Sequence, residues 1–217
     1  MATLYYLPFR GRAEPVKLAL ASQGVAFKFE PIDRQQIQDL NHFKLGQVPV
    51  YSDDEIPFLT QSKAILRHLG RKYKLYGSSR QDQAAIDEAV DAVEDLQLKY
   101  ASLIYVAELA DDAKTTYWSS HGDPNTKKGR NGGAHIAFLA ALVASGSEGH
   151  IIAGSLTIAD LAIFNILDNH LRIFQAEITE AYPELIKFHQ HIAAVPAIRS
   201  YLGSEQRLKQ NTGNGLG

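Results

Sequence analysis

The sequence predicts a chain of two modules, an α/β module followed by an all-α one, on three observations. Short apolar runs with strand character occur only in the first third. Turn residues separate those runs, and beyond residue 80 apolar positions recur every three or four residues with no strand pattern of comparable strength. With 217 residues and 45% apolar composition, the chain is long enough to bury a core without covalent staples.

Leu4 to Leu7 is a short apolar run ending at Pro8. Arg12 to Gln23 has a helical pattern, with Pro15 near its start, where an N–H has no partner to lose, and Gly24 placed to end it. Val25, Phe27 and Phe29 alternate with Ala26, Lys28 and Glu30, the period of a strand with one buried face, so the opening reads as a βαβ unit. Arg34 to Lys44 is polar and weakly helical. It leads to Val48-Pro49-Val50-Tyr51, an acidic turn at Asp53-Asp54-Glu55, and Ile56-Pro57-Phe58-Leu59, which read as a hairpin. Gln61 to Lys72 carries Ile65, Leu66 and Leu69 at helical spacing. The small polar stretch Tyr76-Gly77-Ser78-Ser79 is the linker candidate, giving domains at 1–77 and 82–217.

In the second module Ile86, Val90, Val93, Leu96, Tyr100 and Leu103 step by three or four along a long helix, with Asp87, Asp91, Glu94 and Asp95 on another face. Ser119 to Gly133 interrupts the helical pattern and reads as a solvated loop, since its glycines match no phosphate-loop spacing. Ile158 to Leu171 is apolar nearly all round, as befits a helix at the centre of a helical domain. Thr157-Ile-Ala-Asp160 supplies a capping box at its start, with Asp in place of Glu, so Asp160 reads as structural. A final helix uses Leu185, Phe188, Ile192 and Val195 and is broken by Pro196, and Asn211 to Gly217 reads as a frayed tail.

Composition excludes whole classes of chemistry. Cysteine is absent, which removes disulfides, thiolate metal sites, Cys nucleophiles and CxxC redox pairs, so any thiol chemistry needs a thiol from outside. A net charge of −2 argues against a general nucleic-acid binder. The halves differ: residues 1–80 hold 12 Lys and Arg against 7 Asp and Glu, net +5, while residues 81–217 hold 10 against 17, net −7. That asymmetry points to a small anionic ligand on the first module. No run approaches the ~18 apolar residues of a membrane span, and the start lacks a signal peptide's basic residues, so the expected compartment is the cytosol. His189 and His191 are two apart on a helix and face different directions, which argues against their binding a metal together.

Tyr6-Leu-Pro-Phe-Arg-Gly-Arg12, Gly46-Gln-Val-Pro49, Leu59-Thr-Gln-Ser62 leading to Ile65-Leu-Arg-His-Leu-Gly70, and Val93-Glu-Asp95 followed by Lys99-Tyr100 occur in an order and spacing that covers nearly the whole chain. Together they resemble the cytosolic glutathione S-transferases of the alpha, mu, pi and sigma group, in the pi/sigma manner. The resemblance implies a thioredoxin-like N-terminal domain that binds glutathione as co-substrate without a metal, an all-helical C-terminal domain with the electrophile pocket, and a homodimer.

It also implies roles. Tyr6 would be the catalytic group, its hydroxyl donating a hydrogen bond to the glutathione sulfur. Such a bond to a charged group is worth roughly 1.5–3 kcal/mol, enough to lower a thiol pKa of ~8.5 by about one to two units. By residue type alone Tyr6 is one of ten tyrosines, and neighbouring Tyr5 is chemically equal to it. Gln61 and Ser62 would hold a carboxylate at a helix N-terminus, where N–H groups and the helix dipole favour an anion; read by position alone they are a simple helix start. Gln47 and Val48 would position the tripeptide, with Val48-Pro49 a cis peptide exposing backbone to the cysteinyl unit, and Arg12 joins this set. Asp95 would reach the γ-glutamyl ammonium of glutathione bound by the other subunit, although an acidic helix face is ordinarily solvated. Phe9 and Tyr105 would wall the pocket for small hydrophobic electrophiles, or else belong to the core.

The chain departs from the family pattern at two places. The segment Arg34 to Leu45 has no Trp, and the position of the family's Lys falls near Leu40, leaving Arg34 and Lys44 as candidates for the glycyl carboxylate. Leu45 stands where pi-type enzymes carry an aromatic dimer key. The activity implied is conjugation of the glutathione thiolate to electrophiles in detoxification. A glutathione-dependent isomerase of the prostaglandin D synthase type would use the same thiolate. A noncatalytic relative of the lens-crystallin kind fits less well with an intact Tyr6 and Gln61-Ser62.

Overall fold

The computed structural model describes residues 1–126, 133–152 and 154–217. These divide into two units, residues 1–76 with 194–215 and residues 77–193 with 216–217.

In the first unit β1 (Ala2–Tyr6) leads through a 3-10 turn at Gly11–Ala13 to α1 (Glu14–Ser22), followed by β2 (Phe27–Pro31), β3 (Val50–Ser52), β4 (Leu59–Thr60) and α2 (Ser62–Lys72). The sheet order is β2-β1-β3-β4, with β1 and β2 parallel and the other neighbours antiparallel. The βαβ unit and the hairpin expected from periodicity are both present. Gly24 ends α1 with a left-handed φ of +62°, its N–H donating to the Ala21 carbonyl and the Val25 N–H to that of Leu20. This double closure is a Schellman motif, and by using Val25 it starts β2 two residues later than the alternation does. β4 is shorter than its sequence run because Ile56 to Phe58 stay outside the ladder, Pro57 having no N–H to give. The acidic turn is anchored rather than solvated: Asp53 accepts from the N–H groups of Glu55 and Ile56, from the Tyr51 hydroxyl at 3.1 Å, and from Lys72 of α2 at 3.0 Å.

The second unit contains α3 (Arg80–Tyr105), α4 (Asp111–Tyr117), α5 (His135–Ser145), α6 (Ile158–Ala181) and most of α7 (Pro183–Ala194). Ser79 and Asp82 cap α3 reciprocally, and its buried stripe is Ile86, Val90, Leu96, Tyr100 and Leu103 with Val93 half-buried. Every residue from Ile158 to Leu167 is buried, so α6 is the central helix that its all-round apolar pattern implies. The Thr157–Asp160 capping box is formed, with Asp160 also accepting from the Ile151 N–H at 2.8 Å. Ser119 to Gly122 are not loop as expected. With Trp118 they form a π-helical turn continuing α4, in which Gly122 leaves room for the Trp118 ring, only 2.2 Å from where a Cβ would stand. Residues 127–132 of the expected loop lie outside the described residues.

Pro196 ends α7 but also opens α8 (Pro196–Leu202), sitting in the first turn where its missing N–H is harmless. The segment from 194 to 215 groups with the first unit, which differs from the expected helical domain at 82–217. The reason is a set of hydrogen bonds between residues far apart in sequence. Buried Glu14 on α1 accepts from the Tyr201 hydroxyl at 3.0 Å and from Arg207 Nε at 2.9 Å. The N–H groups of Arg10 and Gly11 donate to the Gln210 and Asn211 carbonyls, and Asn211 and Thr212 are buried. The frayed tail expected from Asn211 onward is therefore corrected: its backbone satisfies N–H groups between β1 and α1.

Candidate functional site

Register places three chain segments side by side at one edge of the sheet. Tyr5 opposes Val50, and Val50 opposes Thr60. The next residues outward are Tyr6 at the end of β1, Pro49 before β3, and Gln61 after β4. The edge therefore gathers Tyr6, Val48-Pro49 and the start of α2. The Val48–Pro49 bond is cis, as the resemblance implies.

Tyr6 is buried, and its hydroxyl accepts a hydrogen bond from the Arg12 N–H at 3.0 Å. That N–H belongs to the 3-10 turn, where a helix-like start leaves donors unused by the backbone. Phe9 packs edge-on against the Tyr6 ring, with centroids 5.4 Å apart. Gly11 makes the arrangement fit, since a Cβ there would stand 2.4 Å from the Tyr6 hydroxyl oxygen. Tyr5 points to the other face of the strand, into a cluster with Phe43 and Phe58, with ring centroids 6.3 and 6.4 Å away. Strand alternation thus separates the two tyrosines that residue type leaves equivalent.

Gln61 holds φ +73° and ψ 110°, a left-handed-side backbone that a residue with a Cβ seldom adopts. Its side chain does not cap α2 but donates from Nε2 to Gln47 Oε1 at 2.8 Å. The first turn of α2 thus begins without a side-chain cap, its N–H groups and positive dipole end directed outward at Ser62. Gln47 and Gln61 are exposed, Val48 half-buried and Pro49 buried, which leaves a polar rim over an apolar floor.

Lys44 and Arg34 are both exposed, on the turns between β2 and β3. Asp95 and Tyr105 belong to the second unit, both on α3 and both exposed, Tyr105 at 48%. Leu40 and Leu45 are exposed at 60% and 53%. Sequence reasoning passed over two contributors to the Tyr6 surroundings. Gly11 is one, detectable as a glycine between two arginines where a turn must leave the strand. Gly213 is the other, with a Cβ position 3.1 Å from the Phe9 ring, and no local signal marks it because its partner lies some two hundred residues earlier.

An arrangement of this kind suits a small peptide-like anion carrying a nucleophile. A helix start can accept a carboxylate, backbone at a strand edge can pair with an extended peptide unit, and a phenol beside them can donate a hydrogen bond.

The family model described as glutathione S-transferase, N-terminal domain, matches residues 2–71, and that described as glutathione S-transferase, C-terminal domain, matches residues 94–205. The chain is 32% identical over 216 residues to a glutathione S-transferase of Dirofilaria immitis, covering 98% of this chain and 97% of the other. It is 31% identical to glutathione S-transferase P 1 of Xenopus laevis, covering 95% and 94%. It is 30% identical to glutathione S-transferase P of Homo sapiens, covering 94% and 92%. The structure of the Onchocerca volvulus pi-class glutathione S-transferase superposes with a TM-score of 0.85 at 29% identity, covering 100% of this chain and 99% of that one. With both family models matched in order and full-length relatives at this level, the chain belongs to the glutathione S-transferases and is a transferase of the pi-like kind.

Proposed function

We propose that this chain conjugates the thiolate of glutathione to small hydrophobic electrophiles, with Tyr6 as the activating group. The observation that carries the reading is the Tyr6 hydroxyl, buried at the sheet edge and oriented by the Arg12 N–H at 3.0 Å. Accepting from that N–H polarises the phenol, which then donates its own proton in a hydrogen bond to the sulfur. The donated bond favours the thiolate over the thiol, and the thiolate is the attacking species. No protein base is consumed, because the thiol proton leaves to solvent as its pKa approaches neutrality.

The rest of the site positions the tripeptide. The start of α2, with Gln61 and Ser62, receives the γ-glutamyl carboxylate. Val48, ahead of Pro49, pairs through its backbone with the cysteinyl unit, and Gln47 closes over it. Lys44 and Arg34 take the glycyl carboxylate in place of the family's Trp and Lys. Arg12 adds positive charge beside the sulfur, Phe9 and Tyr105 line the electrophile pocket, and Asp95 meets the ammonium of glutathione on a second copy of the chain in a homodimer. The setting is cytoplasmic and the physiological use is detoxification. Holding two reactants in attack geometry supplies the remaining acceleration.

Initial rates of glutathione conjugation to chlorodinitrobenzene, wild type beside Tyr6→Phe, test the assignment. The substitution is expected to cost about ten- to a hundredfold in rate, and to raise the apparent pKa of the thiol in the complex by about one to two units. Equal rates and equal pH profiles would remove Tyr6 as the activator.

A further inference from the structure

His191 does not pair with His189. On α7 the His189 ring stacks on Phe164 at 4.5 Å with its Nε2 3.3 Å from Asp168, while His191 faces the loop before α6 and meets His150 there. The two Nε2 atoms are 3.3 Å apart. Two imidazole nitrogens each ~2.05 Å from one tetrahedral zinc ion stand ~3.3 Å apart, the same separation. The rings cross at 77° with centroids at 4.9 Å. In the absence of an ion the two Nε2 atoms are close enough to share one hydrogen bond, and the same separation lets both lone pairs reach a single ion placed beside the N···N line.

Two further features hold the pair. Gly149, at φ +78°, lets the His191 ring lie against its backbone, with a Cβ position only 2.6 Å from the ring. Behind His150, the buried Nδ1 has no hydrogen-bond partner and faces the Asp160 carboxylate at 3.8 Å. At 3.8 Å the carboxylate is too far for a hydrogen bond, but its negative charge favours the tautomer with the proton on Nδ1, which leaves the Nε2 lone pair for a ligand.

We propose that His150 and His191 form a two-imidazole site for a divalent transition-metal ion of the zinc class, with the Asp160 carboxylate behind His150. Among the described residues no group of three or more His, Cys, Asp or Glu gathers for a metal, so water supplies the other positions. Imidazole pairs suit zinc, nickel and copper(II), and oxygen-preferring magnesium and calcium are disfavoured. A second histidine pair, His121 and His135 with Nδ1 atoms 3.1 Å apart, feels the positive charge of Lys99 on both rings, against which Asp95 acts on His135 alone. The bound ion would tie α7 to the loop preceding α6.

Zn2+ titrated calorimetrically into the metal-free full chain should fill one equivalent, with Kd rising about tenfold or more in His150→Ala and in His191→Ala and unchanged in His189→Ala. In wild-type protein with 15N-labelled histidine, Zn2+ should shift the Nε2 signals of two histidines and leave those of His121 and His135 in place. That measurement needs no variant to fold. Absence of a bound equivalent, retention of full affinity in either variant, or shifts confined to His121 and His135 would each overturn the proposal.

Discussion

At Gly11 the backbone has φ +40°, and a Cβ would stand 2.4 Å from the Tyr6 hydroxyl oxygen and 2.8 Å from Phe9 Cε2. One added methyl group therefore has to displace the two rings that define the candidate site. Gly11→Ala is expected to lower conjugation about tenfold or more, since displacements near 1 Å at a reacting group cost up to ~100-fold, while the positive φ adds about 1 kcal/mol of destabilisation. Steady-state kinetics read alongside thermal unfolding check this, and full activity in a folded Gly11→Ala protein would contradict it. Residue-level legibility was uneven for a physical reason. Tyr6 and Tyr5 have the same chemistry, and only the strand's alternation decides which one meets Phe9 and which joins Phe43 and Phe58. His150 and His191 were invisible as a pair, because 41 residues separate them and the visible neighbour of His191 was the wrong histidine.

Among the elements, those closed by local chemistry were legible and those closed from a distance were not. Gly24 and the Thr157–Asp160 box act within six residues of the ends they set, and both appear where the sequence puts them. α8 is hidden in the sequence because a single proline, Pro196, both stops one helix and starts the next. The start of α2 was legible as an end but not as a strained one. Gln61 at φ +73° costs ~1–3 kcal/mol, and strain of this kind persists only where the surroundings impose it. Gln61→Gly removes the clash of the Cβ and should raise Tm by about 2–4 °C, the shift that ~1 kcal/mol gives in a protein of this size. The same change removes the amide that reaches Gln47 at 2.8 Å and should raise KM for glutathione several-fold. Stability and affinity moving in opposite directions is the signature; a variant less stable than wild type would show that Gln61 is not strained.

Across the whole chain, what the sequence conceals is long-range closure, and Glu14 shows it: its partners Tyr201 and Arg207 lie 187 and 193 residues away. No window of local pattern contains both ends. Buried histidine in the helical unit is a second long-range feature, with a consequence for acid stability. His170 has no exposed surface, and its Nδ1 is 2.7 Å from the Ile166 carbonyl, so Nδ1 carries the proton and Nε2 accepts from the Tyr117 hydroxyl at 2.7 Å. Tyr117 is itself buried and stacked on Phe174 at 5.6 Å. Protonating Nε2 would place a charge in this apolar setting and turn the Tyr117 hydroxyl from donor to acceptor. Burial accordingly lowers the His170 pKa from 6.5 to about 4, against the opposing pull of the Ile166 carbonyl. Below pH 6.5 the unfolded chain then binds a proton that the folded one refuses. Stability is complete above 6.5 and declines as pH falls toward 4, by about 1.4 kcal/mol per pH unit for this one group. His121, lowered to about 4 by burial with His135 and Lys99 adding to it, steepens the same window. Urea unfolding of wild type and His170→Gln between about pH 4.5 and 7.5 isolates the His170 part. The variant should be less stable at pH 7, having lost a fitted buried group, yet its stability should fall with acid by one proton's slope less. Parallel curves for the two proteins would show that His170 does not set the acid limit of the helical unit.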